Sequence, residues 1–243
     1  MKNFCSYIKN DKYAIGCTGQ TVYLYDSECT EIAKFKDLPY AYVSVISPNG
    51  DIFVVKTTEG RLAVYSLETL SLVKKFRYSK VNGAQDDGFC FSSDGRYFIN
   101  LERQGDDLHS AISVYNAKDF SRVSQLLLDE NMMVSHIELG DGEYYVLGFT
   151  RGADRVMTNG FVGKFANGQI KDILPISEQE YEFYSDYLYL KMMGFTKKAY
   201  GDYFSVSLEK LRSADHSLAK LWRYYIENML NASVSTRNEL PGA

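Results

Sequence analysis

The sequence predicts an all-β fold: a small β-propeller of about five four-stranded blades, open or irregularly closed, followed by a C-terminal amphipathic α-helix. Three observations carry this reading. Tight turns ending in glycine recur at a near-constant interval. A short alternating strand follows each turn at a similar offset. Near residue 208 the apolar period changes from that of a strand to that of a helix.

The turns come first. "VSVISPNGDIFVV" from Val43, "GFCFSSDGRYFIN" from Gly88 and "SHIELGDGEYYVL" from Ser135 each read as strand, turn, strand. Aligning Gly50, Gly95 and Gly142 gives intervals of 45 and 47 residues, within the range of blade-type repeats. The third strands are "TVYLYD", "RLAVYS", "AISVYN" and "GFVGKF", aligned on Tyr25, Tyr65, Tyr115 and Phe165. Fourth, outermost strands follow as "EIAKFK", "SLVKKF", "SRVSQLLL" and "QIKDIL". Sheets of this kind have two apolar faces that only neighbouring sheets can cover, so they stack radially. The blades fall at 4–36, 41–78, 88–128, 133–174 and 181–208, the fifth built from "YEFYSDYLYLKM" and "DYFSVSL".

From Leu208 to Leu230, apolar or small residues recur at 211, 214, 218, 221, 222, 225, 226 and 229. That spacing predicts a helix over 209–230 with Leu218, Leu221, Trp222, Tyr225 and Ile226 on its interface stripe. The stripe packs on the propeller in cis, forms a homodimer seam or serves as a detachable partner helix, and residues 231–243 are expected to be a flexible tail.

Composition narrows the function classes. The net charge is −4, from 27 Lys plus Arg against 31 Asp plus Glu, which disfavours the basic footprint that nucleic-acid backbones require. No apolar run approaches the roughly 18 residues that span a bilayer, and the start of the chain lacks a signal-peptide pattern. The expectation is a soluble, cytoplasmic protein with no membrane or nucleic-acid partner. Cys5, Cys17, Cys29 and Cys90 form no C-x-x-C pair and lie far in sequence from His109, His136 and His216. Reduced thiols and no metal site are expected.

The segments "FSSDGRYFI" and "ISPNGDIFV" resemble the first hairpin of WD40-type repeats, and "VYLYD" resembles their third strand, with Tyr25-Asp26 where that family carries Trp-Asp. The resemblance covers roughly residues 12–175 and implies a WD40-like propeller. It also implies that second-to-third-strand loops and blade-to-blade loops open on one face. The longest connections are of that kind: "YSKVNGAQDDG" at 78–88, "ERQGDDLHS" at 102–110 and "TRGADRVMTNG" at 150–160. They supply the candidate partner-binding residues Asp86, Asp87, Arg103, Asp106, Asp107, His109, Arg151, Asp154 and Arg155.

No G-x-S-x-G elbow, Walker loop or D-x-[DN]-x-[DN]-G calcium loop is present, so no catalytic residue, metal or cofactor is assigned. The expected function is non-enzymatic: a scaffold recognising another protein through its long-loop rim. A carbohydrate-active or hydrolytic enzyme using carboxylates near a central channel is the first alternative. A homodimer joined through the C-terminal helix is the second.

Overall fold

A computed structural model describes residues 4–78, 88–105, 109–140 and 142–192. Among the described residues sixteen strands form four four-stranded antiparallel sheets, and in each the strands lie in chain order. The first sheet holds β1 (Ser6–Lys9), β2 (Tyr13–Cys17), β3 (Val22–Asp26) and β4 (Glu31–Phe35). The second holds β5 (Ala41–Ile46), β6 (Ile52–Thr57), β7 (Arg61–Ser66) and β8 (Ser71–Arg77). The third holds β9 (Phe89–Phe91), β10 (Tyr97–Gln104), β11 (His109–Asn116) and β12 (Arg122–Leu127). The fourth holds β13 (Met132–Gly140), β14 (Glu143–Arg151), β15 (Met157–Ala166) and β16 (Gln169–Ile176).

The repeat seen in the sequence is a repeat of backbone geometry. Gly50, Gly95 and Gly142 sit at φ of 68°, 69° and 80°, the left-handed region that a tight turn needs and that glycine enters without a Cβ penalty. A second register carries no glycine signal in three of the sheets. Cys29, Leu70, Phe120 and Asn167, in the four third-to-fourth-strand turns, have φ between 52° and 62°. Each third strand is also bulged against the fourth, at Leu24/Tyr25, Val64/Tyr65, Val114/Tyr115 and Val162/Lys164. A bulge bends an edge strand and blunts its capacity to pair with another chain.

Consecutive sheets are joined face to face by apolar seams. Ile15, Leu24 and Phe35 pack with Phe53, Val55 and Tyr65 between the first and second sheets. Val54, Leu62 and Val64 meet Phe91, Phe98 and Phe120 between the second and third. Ile99, Leu101 and Ile112 meet Val134, Val146 and Phe161 between the third and fourth. The innermost strands converge: Tyr42 and Val43 of β5 cluster with Cys5, with Phe89 of β9 and with Tyr189. The sheets are therefore arranged around a common axis, as their two-sided apolar pattern dictates.

The fifth-blade assignment is corrected. Glu178–Met192 is an α-helix, α1, so "YEFYSDYLYLKM" is not a strand pair; among the described residues the last strand ends at Ile176, and "DYFSVSL" lies outside the described residues. Its start is a capping box: Ser177 Oγ accepts from Glu180 N at 3.2 Å, and Glu180 Oε2 accepts from Ser177 N at 3.0 Å. Tyr181, Tyr184 and Leu188, at helical spacing, are buried, and α1 packs on β13, β14 and β15. Tyr181 and Tyr184 thus pack at the edge of the stack from a helix. The assignments over 193–243, including the helix over 209–230 with Leu218, Leu221, Trp222, Tyr225 and Ile226, lie outside the described residues.

Candidate functional site

The strand order fixes two different faces. The turns at Gly50, Gly95 and Gly142, together with the third-to-fourth-strand turns, lie at one end of the sheets. The second-to-third-strand hairpins and the sheet-to-sheet connectors lie at the other. At this second end Gly19 N donates across sheets to Ala41 O (3.1 Å), while Tyr78 N to Gly60 O (2.9 Å) and Leu128 N to Ser110 O (2.9 Å) extend the outer strand pairs within the second and third sheets.

Two of the three predicted long loops are shorter than expected. β10 runs to Gln104 and β11 begins at His109, while β14 runs to Arg151 and β15 begins at Met157. The additional residues lengthen strands instead of loops. β10 and β11 have 8 residues each, and β14 and β15 have 9 and 10, against 6 in β6 and β7. Cross-strand pairing continues through polar residues such as Glu102, Arg103 and Thr150, where no apolar alternation marks the strand.

His109 and Arg151 reach the connector between the third and fourth sheets, and Arg103 reaches β13 just beyond it. Arg103 Nη1 donates to Ser110 Oγ and to Val134 O. His109 Nδ1 lies 3.4 Å from Leu128 O. Arg151 Nη2 donates to Glu130 O at 2.8 Å, and its backbone N donates to Asn131 O. These side chains hold residues 128–134 in place. Asp154 and Arg155 lie at the exposed tip of the β14–β15 hairpin, where Asp154 Oδ1 accepts from Val156 N (3.1 Å) and Val156 is 60% exposed. Asp86, Asp87, Asp106 and Asp107 lie outside the described residues.

Sequence reasoning missed a polar network buried between the second and third sheets. Lys56, 1% exposed, donates from Nζ to Asn100 Oδ1 and to Leu101 O, both at 2.9 Å. Asn100 Nδ2 donates onward to Glu102 Oε1 (3.2 Å). The buried Glu102 carboxylate also accepts from Tyr115 OH (2.6 Å), Gln104 Nε2 (2.9 Å) and Gln125 Nε2 (3.2 Å). Burial, and then the charge of Glu102, push the Tyr115 phenol well above its usual range. Both Glu102 oxygens thus accept hydrogen bonds, as a buried polar group requires. The available signal was a charge at an inward strand position, as in "FVVKT" and "FINLERQ".

His136 Nε2 shares a hydrogen bond with Ser185 Oγ of α1 at 3.3 Å. No disulfide joins the four cysteines, and burial pushes the Cys17 thiol up to about 12. Among the described residues no group of three or more His, Cys, Asp and Glu side chains is placed to hold a metal ion, and no helix is long and apolar enough to cross a membrane.

Comparison of the fold with solved structures gives many likenesses, among them two at low identity. The chain is similar to a WD40 domain from Toxoplasma gondii coronin, with TM-score 0.52, 14% identity, and coverage of 71% of this chain and 45% of that one. It is also similar to hydrazine synthase from Kuenenia stuttgartiensis, with TM-score 0.54, 16% identity, and coverage of 69% and 47%. The fold is that of a WD40-like propeller. The chain thus spans about half the length of the structures it resembles. No protein-family model matches it, and no curated protein matches it in sequence. Within the propeller each four-stranded sheet is a blade, and the face carrying Arg103, His109 and Arg151 is the one on which the blade-to-blade connectors emerge.

Proposed function

We propose that this propeller is a non-enzymatic scaffold that binds a protein partner through the connector face of blades 3 and 4. The observation that carries the reading is the lengthened pair of hairpins, β10–β11 and β14–β15, clamped to the intervening connector by His109 and Arg151 and to the start of β13 by Arg103. A clamped loop loses little conformational freedom on binding, so contacts made at its surface are not consumed by ordering. The tip offers what a partner needs for register and anchorage: Asp154 and Arg155 with opposite charges beside the exposed Val156. The enzymatic alternative is less well supported. The buried carboxylate on the described side of the fold, Glu102, has its lone pairs filled by four side-chain donors and none left for a reacting proton.

The test is affinity capture from the native host with the intact chain, an Asp154→Lys/Arg155→Glu/Val156→Asp variant, and Glu28→Lys on the opposite face as control. The reading expects the same partner with the parent and with Glu28→Lys, and loss of that partner with the tip variant at unchanged melting temperature. Retention of the partner by the tip variant overturns it.

A further inference from the structure

Three apolar seams join the described blades, and in two of them the turn between the third and fourth strands of the later blade plugs the seam. In the first seam this turn supplies Leu67, which is buried against Phe35, Phe53 and Tyr65. In the second it supplies Phe120, also buried, with its ring centroid 5.7 Å from that of Phe98 and 6.4 Å from that of Phe76. Lys74 of blade 2 holds that second turn in place, donating from Nζ to Asp119 O at 2.6 Å and to Phe120 O at 3.1 Å.

The third seam has neither device. The turns over 67–70 and 117–121 are replaced in blade 4 by Asn167 and Gly168 alone. With φ of 53° and 72° these two residues reverse the chain as a tight hairpin turn, which leaves no apolar side chain for the seam. Ser124 stands where Lys74 stands in blade 2: beside the same bulge, Lys74 pairs with Val64 and Ser124 with Val114. Among the described residues this leaves a half-open groove of about 530 Å³ between blades 3 and 4, on the turn face. Ile99 and Phe165, both buried, form its base with Val114, and Tyr97 and Val123, both exposed, stand at its mouth. Tyr144 also lines it, its ring centroid 6.5 Å from that of Phe165. No charged side chain lines the groove.

We propose that this groove binds a small uncharged aromatic molecule, of one or two fused rings, seated where Phe120 sits one seam earlier. The volume suffices, since an apolar cavity of about 150 Å³ already holds benzene. Tyr97, Tyr144 and Phe165 offer the tilted ring contacts that Phe76 and Phe98 give Phe120. A charged ligand is disfavoured because its charge would enter the groove without a partner. The groove lies at the opposite end of the sheets from the connector face, so this reading stands independently of the protein partner proposed there.

The test is a titration of the intact chain with indole, followed by methyl NMR and by melting temperature. The expected result is a saturable shift centred on the methyls of Ile99, Val114 and Val123, with a rise in melting temperature. Cyclohexanol, a saturated ring, and indole-3-acetate, a charged one, are expected to bind severalfold more weakly. Val123→Asp, at the exposed mouth, is expected to weaken indole binding severalfold. Val73→Asp, at the same bulge position of blade 2, where the seam is plugged, is expected to leave it unchanged. Should Val123→Asp fail to fold, Ser124→Phe supplies the missing ring from the chain itself and is expected to abolish indole binding with the melting temperature held or raised. The proposal is overturned by the absence of a saturable shift, by shifts centred elsewhere, or by equal binding of cyclohexanol or indole-3-acetate. It is overturned equally by unchanged indole affinity in folded Val123→Asp or Ser124→Phe, or by an equal loss in Val73→Asp.

Discussion

Tyr65 and Tyr115 occupy the same position of the repeat, each just after the bulge of a third strand and each nearly inaccessible to solvent. Their hydroxyls have opposite fates. Tyr115 donates to Glu102 Oε1 at 2.6 Å, whereas Tyr65 OH is buried with no hydrogen-bond partner among the described residues. Phenylalanine at each position removes one oxygen and keeps the ring, and the parent already has Phe165 at the equivalent position of blade 4. In Tyr115→Phe the buried carboxylate loses a charge-assisted hydrogen bond, a loss of about 1.5–3 kcal/mol. For a chain of this size that lowers the melting temperature by about 3–12 °C. In Tyr65→Phe a desolvated hydroxyl with nothing to bind is removed, so stability is expected to hold or to rise by about 1 kcal/mol. Thermal and denaturant unfolding of the two variants, measured side by side, gives the comparison. Equal losses in both, or a larger loss in Tyr65→Phe, would refute the claim that the Lys56–Asn100–Glu102 network, and not ring packing, makes blade 3 differ from blade 2.

Three further outcomes are expected. Hydrogen bonds from Arg96 N, Ser92 Oγ and the Arg96 side chain hold the Asp94 carboxyl down to about 2 from a usual 3.8. Its contribution to stability is therefore complete above about pH 4 and lost as pH falls through about 2. Asp94→Asn should flatten that part of the acid limb in a melting-temperature profile, and Ser92→Ala should raise the Asp94 midpoint in an NMR titration. Gly95→Ala should destabilise by more than Gly50→Ala. Both enter the left-handed region at about 1–2 kcal/mol, but only at Gly95 does the new Cβ meet Asn49 Nδ2, at 2.7 Å. The excess should vanish in an Asn49→Ala background. Ser177→Ala removes the α1 cap and should lower stability by about 1 kcal/mol, with amide exchange accelerated first over 178–181.

How far the fold could be read from the chain follows from which forces act locally. The glycine turns and the third and fourth strands were legible because alternation with period two and a positive φ at glycine are set by neighbouring residues, as at Gly50 and Val64. The helix α1 was misread because its aromatic density imitates a strand, although the capping box "SEQE" and the spacing of Tyr181, Tyr184 and Leu188 were present in the sequence. The hairpins of blades 3 and 4 were read as loops because Glu102, Arg103 and Thr150 continue the strands without apolar alternation. Of the candidate rim residues, Arg103, His109 and Arg151 were found for their charge and place in the chain, but they grip the connector and the start of β13, and Asp154 and Arg155 are the ones at the surface. The environment of Glu102 was beyond local reading, since its partners Tyr115 and Gln125 come from other strands and count only once the blade is folded.

The central claim is that a rigid ring of sheets presents one face, the connector face of blades 3 and 4, to a protein partner. Hydrogen–deuterium exchange of the chain with and without its captured partner measures this most directly. The account predicts new protection confined to residues 128–134 and 150–158, with none at the turns 26–31, 47–52 and 92–97 on the opposite face. Protection at those turns, with the connector and the β14–β15 tip unchanged, would contradict it.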